Sequence, residues 1–456
     1  MNSFTHADRL HRLIKETLDR GTVESIEEGE ALFQSYRLVI EIGASEVGSP
    51  PHQSALLTAV ALAHRVFLGG VTVRIGAQDI LKVPMPLPGN LSDAIEQLGG
   101  RVAADEAPGA PRVVVGGVPR ARQAAFEVRT LASGWRGGIV PIEFPFDVEQ
   151  DCVPLAAMLS AAFAVNEAFL YVRGENAAAG HRTIGLSLWH PLPDADWLDA
   201  TSDGPTLTLL PSRLWLLGLG HLGQAFLWGL GLLPYEAPSA VELVLQDVDV
   251  ITPSTPSTSI LSQANLIGQK KTRAMASWAE RRGFSTRIHE RLFTTGFRRQ
   301  EDEPPILLCG LDNALGRRAL DEAGFDLVVE AGLGRGHLDF RTLRLHTLPA
   351  SRPAAQIWPL SAEQTRVPKT RAYTKLLTEG VLDQCGMTLL AGKAVGAPFV
   401  GAVAATLVLA ELLRLLHGGV TLQVMDLDLQ WPEHREVVLQ GRDFRNFNPG
   451  FLKSAA

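Results

Sequence analysis

Between Trp215 and Arg317 four short patterns follow one another in a fixed order. An apolar run leads into Gly218-Leu219-Gly220-His221-Leu222-Gly223, followed by Asp247-Val248-Asp249, then Gly268-Gln269-Lys270-Lys271, then Leu311-Asp312-Asn313 with Arg317. A glycine triplet between a strand and a helix lets the backbone come close to a phosphate, and the helix N-terminus adds partial positive charge. An acidic strand end can then hold a ribose. The triplet alone is a weak signal, since many Gly-rich strand-to-helix turns are only tight packing. The ordered set of four describes a nucleotide site.

Around that set, the chain reads as two α/β halves divided near residues 193–212, where Pro193-Asp194-Ala195-Asp196-Trp197 and Thr201-Ser202-Asp203-Gly204-Pro205 form a polar, turn-rich passage. We place the boundary between 1–205 and 206–456. In the first half, strand 37–42, helix 54–67 and strand 71–75 make a βαβ unit, continued by helix 92–98, strand 112–115 and a small-residue-rich helix over 153–171. In the second, strand 214–217, the glycine turn, helix 222–230 and strand 241–245 repeat the pattern. Helix 271–282, strands 285–288 and 306–308, helix 314–323 and strand 327–330 extend a parallel sheet. A strand over 338–346, a helix over 397–416 and strands 422–429 and 436–440 follow. The halves read as a tandem with ligand chemistry only in the second.

Composition limits the class. With 456 residues, 46% hydrophobic and 20% charged, the chain is globular and of two or three domains. A net charge of −7 without clustered Lys and Arg argues against nucleic acid. Cys152, Cys309 and Cys385 are far apart and form no CxxC pair, so neither a zinc site nor a dithiol centre is expected. Cys152 and Cys309 sit in apolar surroundings that read as core. The N-terminus has no signal-type hydrophobic region, and a cytoplasmic protein is expected. The apolar stretch 397–416 carries Glu411 and Arg414 and reads as a buried helix rather than a membrane span.

With these residues in place, the second half, over about 211–420, resembles the E1-like (ThiF/MoeB, ubiquitin-activating) superfamily, and in particular the E1 of bacterial ubiquitin-like conjugation operons of the Bil type in antiviral defence. The resemblance implies tandem Rossmann-like parallel-sheet halves forming an E1-type pseudo-dimer, as a monomer or within a homodimer. It implies that Gly218, Gly220 and Gly223 bind ATP, with Asp247, Asp249 and Asn313 beside it, that Lys271 contacts phosphates, and that Asp312 carries magnesium. The chemistry agrees: sending a carboxylate against an α-phosphate requires neutralised phosphate charge, which a cation and a positioned lysine supply. Taken singly, Lys271 would be an exposed residue in a first helical turn and Asp312 an N-cap; the ordered set favours the site.

The resemblance departs at one place. Where the family carries an Asn and an Arg-Gln pair that touch phosphates, this chain has Thr255, Thr258 and Ser259. In the family an arginine from the other half reaches across, and Arg9 and Arg12 are the candidates for that role, the plainer reading being that both decorate a solvated helix. Leu382-Asp383-Gln384-Cys385-Gly386 lies in a turn-prone stretch similar to the cysteine segment of the autophagy-type E1, which implies that Cys385, with Gln384 and Thr388 as polar neighbours, accepts the acyl group as a thioester, the plainer alternative being a buried free cysteine. The partners implied are a ubiquitin-like protein and an E2-like protein, the latter docking on the C-terminal strands, with no nucleic acid and no membrane. In the first half, the loop Gly43 to Gly48 has wider glycine spacing and puts Glu46 where phosphate would approach, so that half is expected to be inactive. A sulfur-carrier-type adenylyltransferase, a nicotinamide dehydrogenase that leaves Lys271 and Asp312 idle, and a non-catalytic E1-like scaffold remain as alternatives.

Overall fold

A computed structural model of the chain describes residues 4–104, 108–145, 151–358, 366–442, 444 and 447–455. Its frame is two sheets of matching topology. The first joins β1 (Leu38–Ile42), β2 (Val71–Ile75), β3 (Arg101–Val102), β4 (Arg112–Val115), β5 (Glu127–Ser133), β6 (Arg136–Pro141) and β7 (Ile184–Ser187) in the order β3-β2-β1-β4-β5-β6-β7. After β8 (Leu209–Pro211), the second sheet uses β9 (Arg213–Leu217), β10 (Glu242–Gln246), β11 (Ser285–His289), β12 (Ile306–Cys309), β13 (Leu327–Leu333), β14 (Thr342–Leu348), β15 (Leu422–Asp428) and β16 (Glu436–Leu439) in the order β11-β10-β9-β12-β13-β14-β15-β16. In each sheet the first five strands are parallel and the rest antiparallel. A last strand, β17 (Phe451–Lys453), pairs with β8.

The strand order reverses between β1 and β4 in one sheet and between β9 and β12 in the other. Such a switch point opens a crevice beyond the carboxyl ends of the strands. The tandem read from the sequence is therefore a repeated topology with two candidate crevices.

Two 19-residue helices, Pro154–Val172 and Pro398–Leu416, occupy equivalent places, between β6 and β7 and between β14 and β15, and pack on each other at the centre of the molecule. Each begins with proline, whose missing N–H is harmless at a first helical position. Each is apolar on all faces, the pattern of a helix surrounded by protein. Both are long and apolar enough to cross a membrane, yet 89% of each apolar window is buried here. Polar pins cross the seam between halves: Trp228 Nε1 donates to Thr58 Oγ1 at 2.9 Å and Asn166 Nδ2 to the Leu429 carbonyl at 3.0 Å.

Several sequence expectations shift, among them the helix expected over 54–67, which is Pro50–Ala63. The strand expected over 338–346 occupies 342–348, and the helix expected over 314–323 is Ala314–Arg318 followed by a 3-10 turn at Leu320–Glu322. Strands β5 to β7 are not among the elements expected from the sequence; on β5 the charge reads as a solvated surface. Glu127 and Arg129 are in fact fully buried, with Glu127 2.7 Å from Arg120.

Candidate functional site

The three glycines of the β9 turn do three different things. Gly218 has φ +83°, a left-handed conformation open to glycine, and a side chain there would meet the Gly310 backbone at 3.0 Å. A Cβ on Gly223 would lie 2.1 Å from the Gly218 carbonyl, so its absence lets the helix His221–Leu232 sit against the turn. Gly220 is the exception, since a Cβ there would meet only Lys271 Nζ, at 3.9 Å. Packing accounts for Gly218 and Gly223; the bare backbone of Gly220 faces open space at a helix N-terminus, a shape suited to phosphate.

Below the turn, Asp247 is bound into the loop. Its Oδ2 accepts from the Leu219 N–H at 2.7 Å and its Oδ1 from the Asp249 N–H at 2.8 Å. Lys271 begins the helix Lys271–Arg281, but its ammonium turns back to Asp249 at 2.9 Å and Asp247 at 3.8 Å, and the side chain is 14% exposed. Burial works against its charge; Asp247 and Asp249 outweigh burial and hold its pKa above the ordinary lysine value. The exposed first-turn lysine of the simpler reading is thereby corrected: its chain buries because two carboxylates receive it.

Opposite, the segment after β12 brings in Asp312. Asn313, not Asp312, caps the helix Ala314–Arg318, accepting from the Gly316 N–H at 2.7 Å. The Asp312 carboxylate is left exposed, while Arg335 Nη1 donates to its backbone carbonyl at 3.2 Å. Arg317 is structural. It donates to the Leu311 carbonyl from Nε at 2.9 Å and to the Ala331 carbonyl at 3.0 Å, and stacks over Trp358 at 4.2 Å, fixing the loop that presents Asp312.

The N-terminal segment closes the site from the other half. Arg12 Nη2 donates to Ser254 Oγ at 3.0 Å and its backbone N–H to Ser257 Oγ at 3.3 Å, while the Ser254 N–H donates to the Asp8 carbonyl at 2.8 Å. Arg12 Nη1 is buried without a partner. Burial disfavours the guanidinium charge, and Asp8 and then Asp312 support it. The serine-threonine loop that replaces the family's Asn and Arg-Gln thus cradles an arginine from the first half. Of its members Thr255 bonds within the loop, Ser259 is buried, and Thr258 lines the cavity. Arg9 points elsewhere, bonding to the Phe4 carbonyl.

These groups surround one cavity of about 1320 Å³, lined among others by Arg12, Gly220, Asp247, Lys271, Asp312 and Lys393. Asp249 and Asn313 lie on its wall. Among the members that sequence reasoning missed are Lys393 and His221. Lys393 pairs with Asp8 at 2.8 Å, and His221, whose ring burial lowers its pKa to about 4, packs where a Gly401 side chain would stand. His221 lies inside the glycine motif, but the helix Pro398–Leu416 packed against it sets its burial, and Lys393 is held by Asp8 of the N-terminal segment. Among the described residues no three His, Cys, Asp or Glu side chains cluster as metal ligands. A magnesium ion fits here only as one held by Asp312 together with phosphate oxygens, a mode common for that ion.

Cys385 lies outside the cavity. The turn expected at 382–386 is instead the first turn of the helix Gln384–Gly392, because Asp383 caps it by accepting from the Gly386 N–H at 2.7 Å. The helix ends at Gly392 on the cavity wall, so Cys385 stands two turns away, roughly 10 Å along the axis. It is exposed, whereas Cys152 and Cys309 are buried. Glu46 in the first half folds over its own turn: a Cβ on Gly43 would be 2.2 Å from its carboxylate, and one on Gly116 2.4 Å from His52 Nε2. Glu46 and His52 thus stand against the glycines of that crevice.

The family model of the BilD N-terminal domain matches residues 37–188, spanning the first sheet, and that of the BilD C-terminal domain matches 210–419. Partial structural similarity extends to crystal structures of E. coli MccB with MccA-N7isoASN (13% identity, 51% of this chain, 65% of that chain, TM-score 0.32) and of PaaA (11%, 50%, 64%, TM-score 0.33). The chain spans just under two thirds of each of those structures. The bacterial E1-like protein BilD of Collimonas sp. (strain OK412) is 44% identical over 92% of this chain and 91% of its own length. Identity of that extent, with both domain matches lying over the two sheets, makes this chain a member of the bacterial E1-like BilD family.

Proposed function

We propose that the chain is the activating enzyme of a bacterial ubiquitin-like conjugation system, adenylating the C-terminal carboxylate of a ubiquitin-like protein with ATP and magnesium and then accepting the acyl group on Cys385 for transfer to an E2-like protein. The observation that carries this reading is the convergence of the open Gly220 backbone, Lys271, Asp312 and the unpartnered Nη1 of Arg12 on one cavity. In this reading residues 206–456 are the active half, and 1–205 complete the fold and supply Arg12. In the same reading Glu46 and His52 keep nucleotide out of the first crevice.

Each residue has a definite task. The Gly218–Gly223 turn and the helix N-terminus take phosphate oxygens through backbone N–H groups. Lys271 leaves the exposed carboxylate of Asp249 to meet phosphate charge, and Arg12 adds a second cation from the opposite side. Asp312 would hold a magnesium ion together with the phosphates, and that ion would supply further neutralisation of developing charge. A carboxylate oxygen of the carrier bonds to the α-phosphorus as the bond to the bridging oxygen breaks, releasing pyrophosphate. In the second step the Cys385 thiolate bonds to the acyl carbon and AMP leaves, its thiol proton having passed to solvent. Because Cys385 starts about 10 Å from the cavity wall, the helix Gln384–Gly392 must shift for this step.

The test is purified protein incubated with ATP, magnesium and a candidate ubiquitin-like carrier, read by pyrophosphate release and a non-reducing gel. Pyrophosphate with a thiol-sensitive adduct supports the reading. Asp312→Ala is expected to lose both signals and Cys385→Ala only the adduct. Pyrophosphate without an adduct would replace it with a sulfur-carrier-type adenylyltransferase, and neither signal, with a competent carrier, with a scaffold.

A further inference from the structure

The loop that holds Arg12 has two sides. Ser254, Thr255 and Thr258 face the large cavity, whereas Pro253, Pro256 and Ser257 line a second cavity of about 430 Å³ in the seam between the halves. Its polar wall is made by Arg9, His11, His64, Arg65, Gln97 and Gln263, and none of its lining residues is Asp or Glu. Two arginines therefore share a recess with no carboxylate.

Arg65 makes the imbalance sharper. It is 7% exposed, and its guanidinium donates only to carbonyls: that of Ala61 in its own half, and those of Ile260 at 2.8 Å and Ser262 at 3.0 Å in the other. These bonds satisfy N–H groups and staple the seam without cancelling charge. Its Nε is buried with no partner. Among the described residues no carboxylate pairs with it, and burial alone pushes its pKa down to about 10. A buried, unneutralised cation is costly unless an anion or hydrogen bonds compensate. Here the bonds are incomplete and the cavity beside them is electropositive.

We infer that this seam cavity is a second ligand site, for a small oxyanion such as the phosphate of a phosphorylated small molecule, held by Arg65 and Arg9 with His64 at the rim. Its volume admits a ligand of at most modest size. Two links join the site to the large cavity: Ser257, on the seam wall, accepts the Arg12 backbone N–H, and His11, whose Nε2 contacts the Arg65 carbonyl at 3.0 Å, immediately precedes Arg12. An anion in the seam thus acts on the placement of the arginine that enters the large cavity, and the coupling is reciprocal.

Inorganic phosphate is the probe, titrated into the full chain by calorimetry with and without saturating ATP. One saturable phosphate site that persists with ATP present is expected. The paired variant Arg9→Ser, His64→Gln, outside the nucleotide cavity, should weaken that site about tenfold or more, while Asp312→Ala leaves it unchanged. Phosphate should also shift ATP affinity in the native chain and not in the paired variant. Arg65→Met, if it folds by thermal melt, should lose the site altogether. Absence of a saturable site, displacement by ATP, or indifference to the paired variant would overturn the inference. The readout is binding alone, so its failure and that of the adenylation reading are separable.

Discussion

Arg12 of the N-terminal segment donates to Ser254 Oγ at 3.0 Å, so a cation from the first half is fixed by a loop of the second. The loop that departs from the family pattern in the sequence thereby regains a positive charge through space. Arg12→Ala is expected to reduce ATP–pyrophosphate exchange by about 10²-fold, the usual scale for removing one preorganised charge-stabilising donor. Ser254→Ala, which loosens but keeps Arg12, should cost only several-fold, in line with about 1 kcal/mol for one hydrogen bond. Equal losses from both would show that the serine does more than orient the arginine.

The glycine turn predicts opposite failures at neighbouring positions. Gly220→Ala places a methyl group in open space beside Lys271. It should leave the melting temperature near that of the native chain and sharply weaken nucleotide binding. Gly223→Ala drives a methyl into the Gly218 carbonyl and should destabilise by about 1–3 kcal/mol or more, the scale of overpacking. Thermal melts together with nucleotide titrations separate the two.

Acid should weaken the fold through two histidines. Burial holds the pKa of His11 and His221 at about 4, below the ordinary 6.5. Between those values the unfolded chain binds more protons than the folded one, so stability is full above pH 6.5 and falls as pH drops toward 4. The effect is on the order of 3 kcal/mol per histidine. Denaturant titrations across that window should show the slope, and His221→Gln should flatten it; an unchanged slope in that variant would remove His221 from the account.

Deep in the second half, Glu411 and Arg414 form a pair with side chains 2% and 1% exposed, and Glu411 also accepts from the Leu422 N–H at 3.0 Å. Burial raises the Glu411 pKa, with Arg414 opposing it. Arg414→Leu leaves that carboxylate uncompensated and should destabilise by about 3–5 kcal/mol, measured by denaturant unfolding of the full chain. The double variant with Glu411→Leu should recover a large part of the loss.

Local pattern by itself determined the two βαβ halves, the central helix Pro398–Leu416 and the glycine turn with Asp247, Lys271 and Asp312 around it. Those features rest on periodicity, on glycine at a position with φ +83°, and on short-range strand-to-helix geometry, all written in neighbouring residues. Tertiary structure decided the rest, because packing between distant segments sets it. It separated Arg12 from Arg9, though three positions apart, since only the former meets the serine loop. It turned the cysteine segment into a capped helix end outside the cavity, through the Asp383 bond to Gly386. It also buried Glu127 and Arg129, which made β5 illegible: a paired charge reads as surface in the sequence, and only its partners, brought from elsewhere in the chain, make it core.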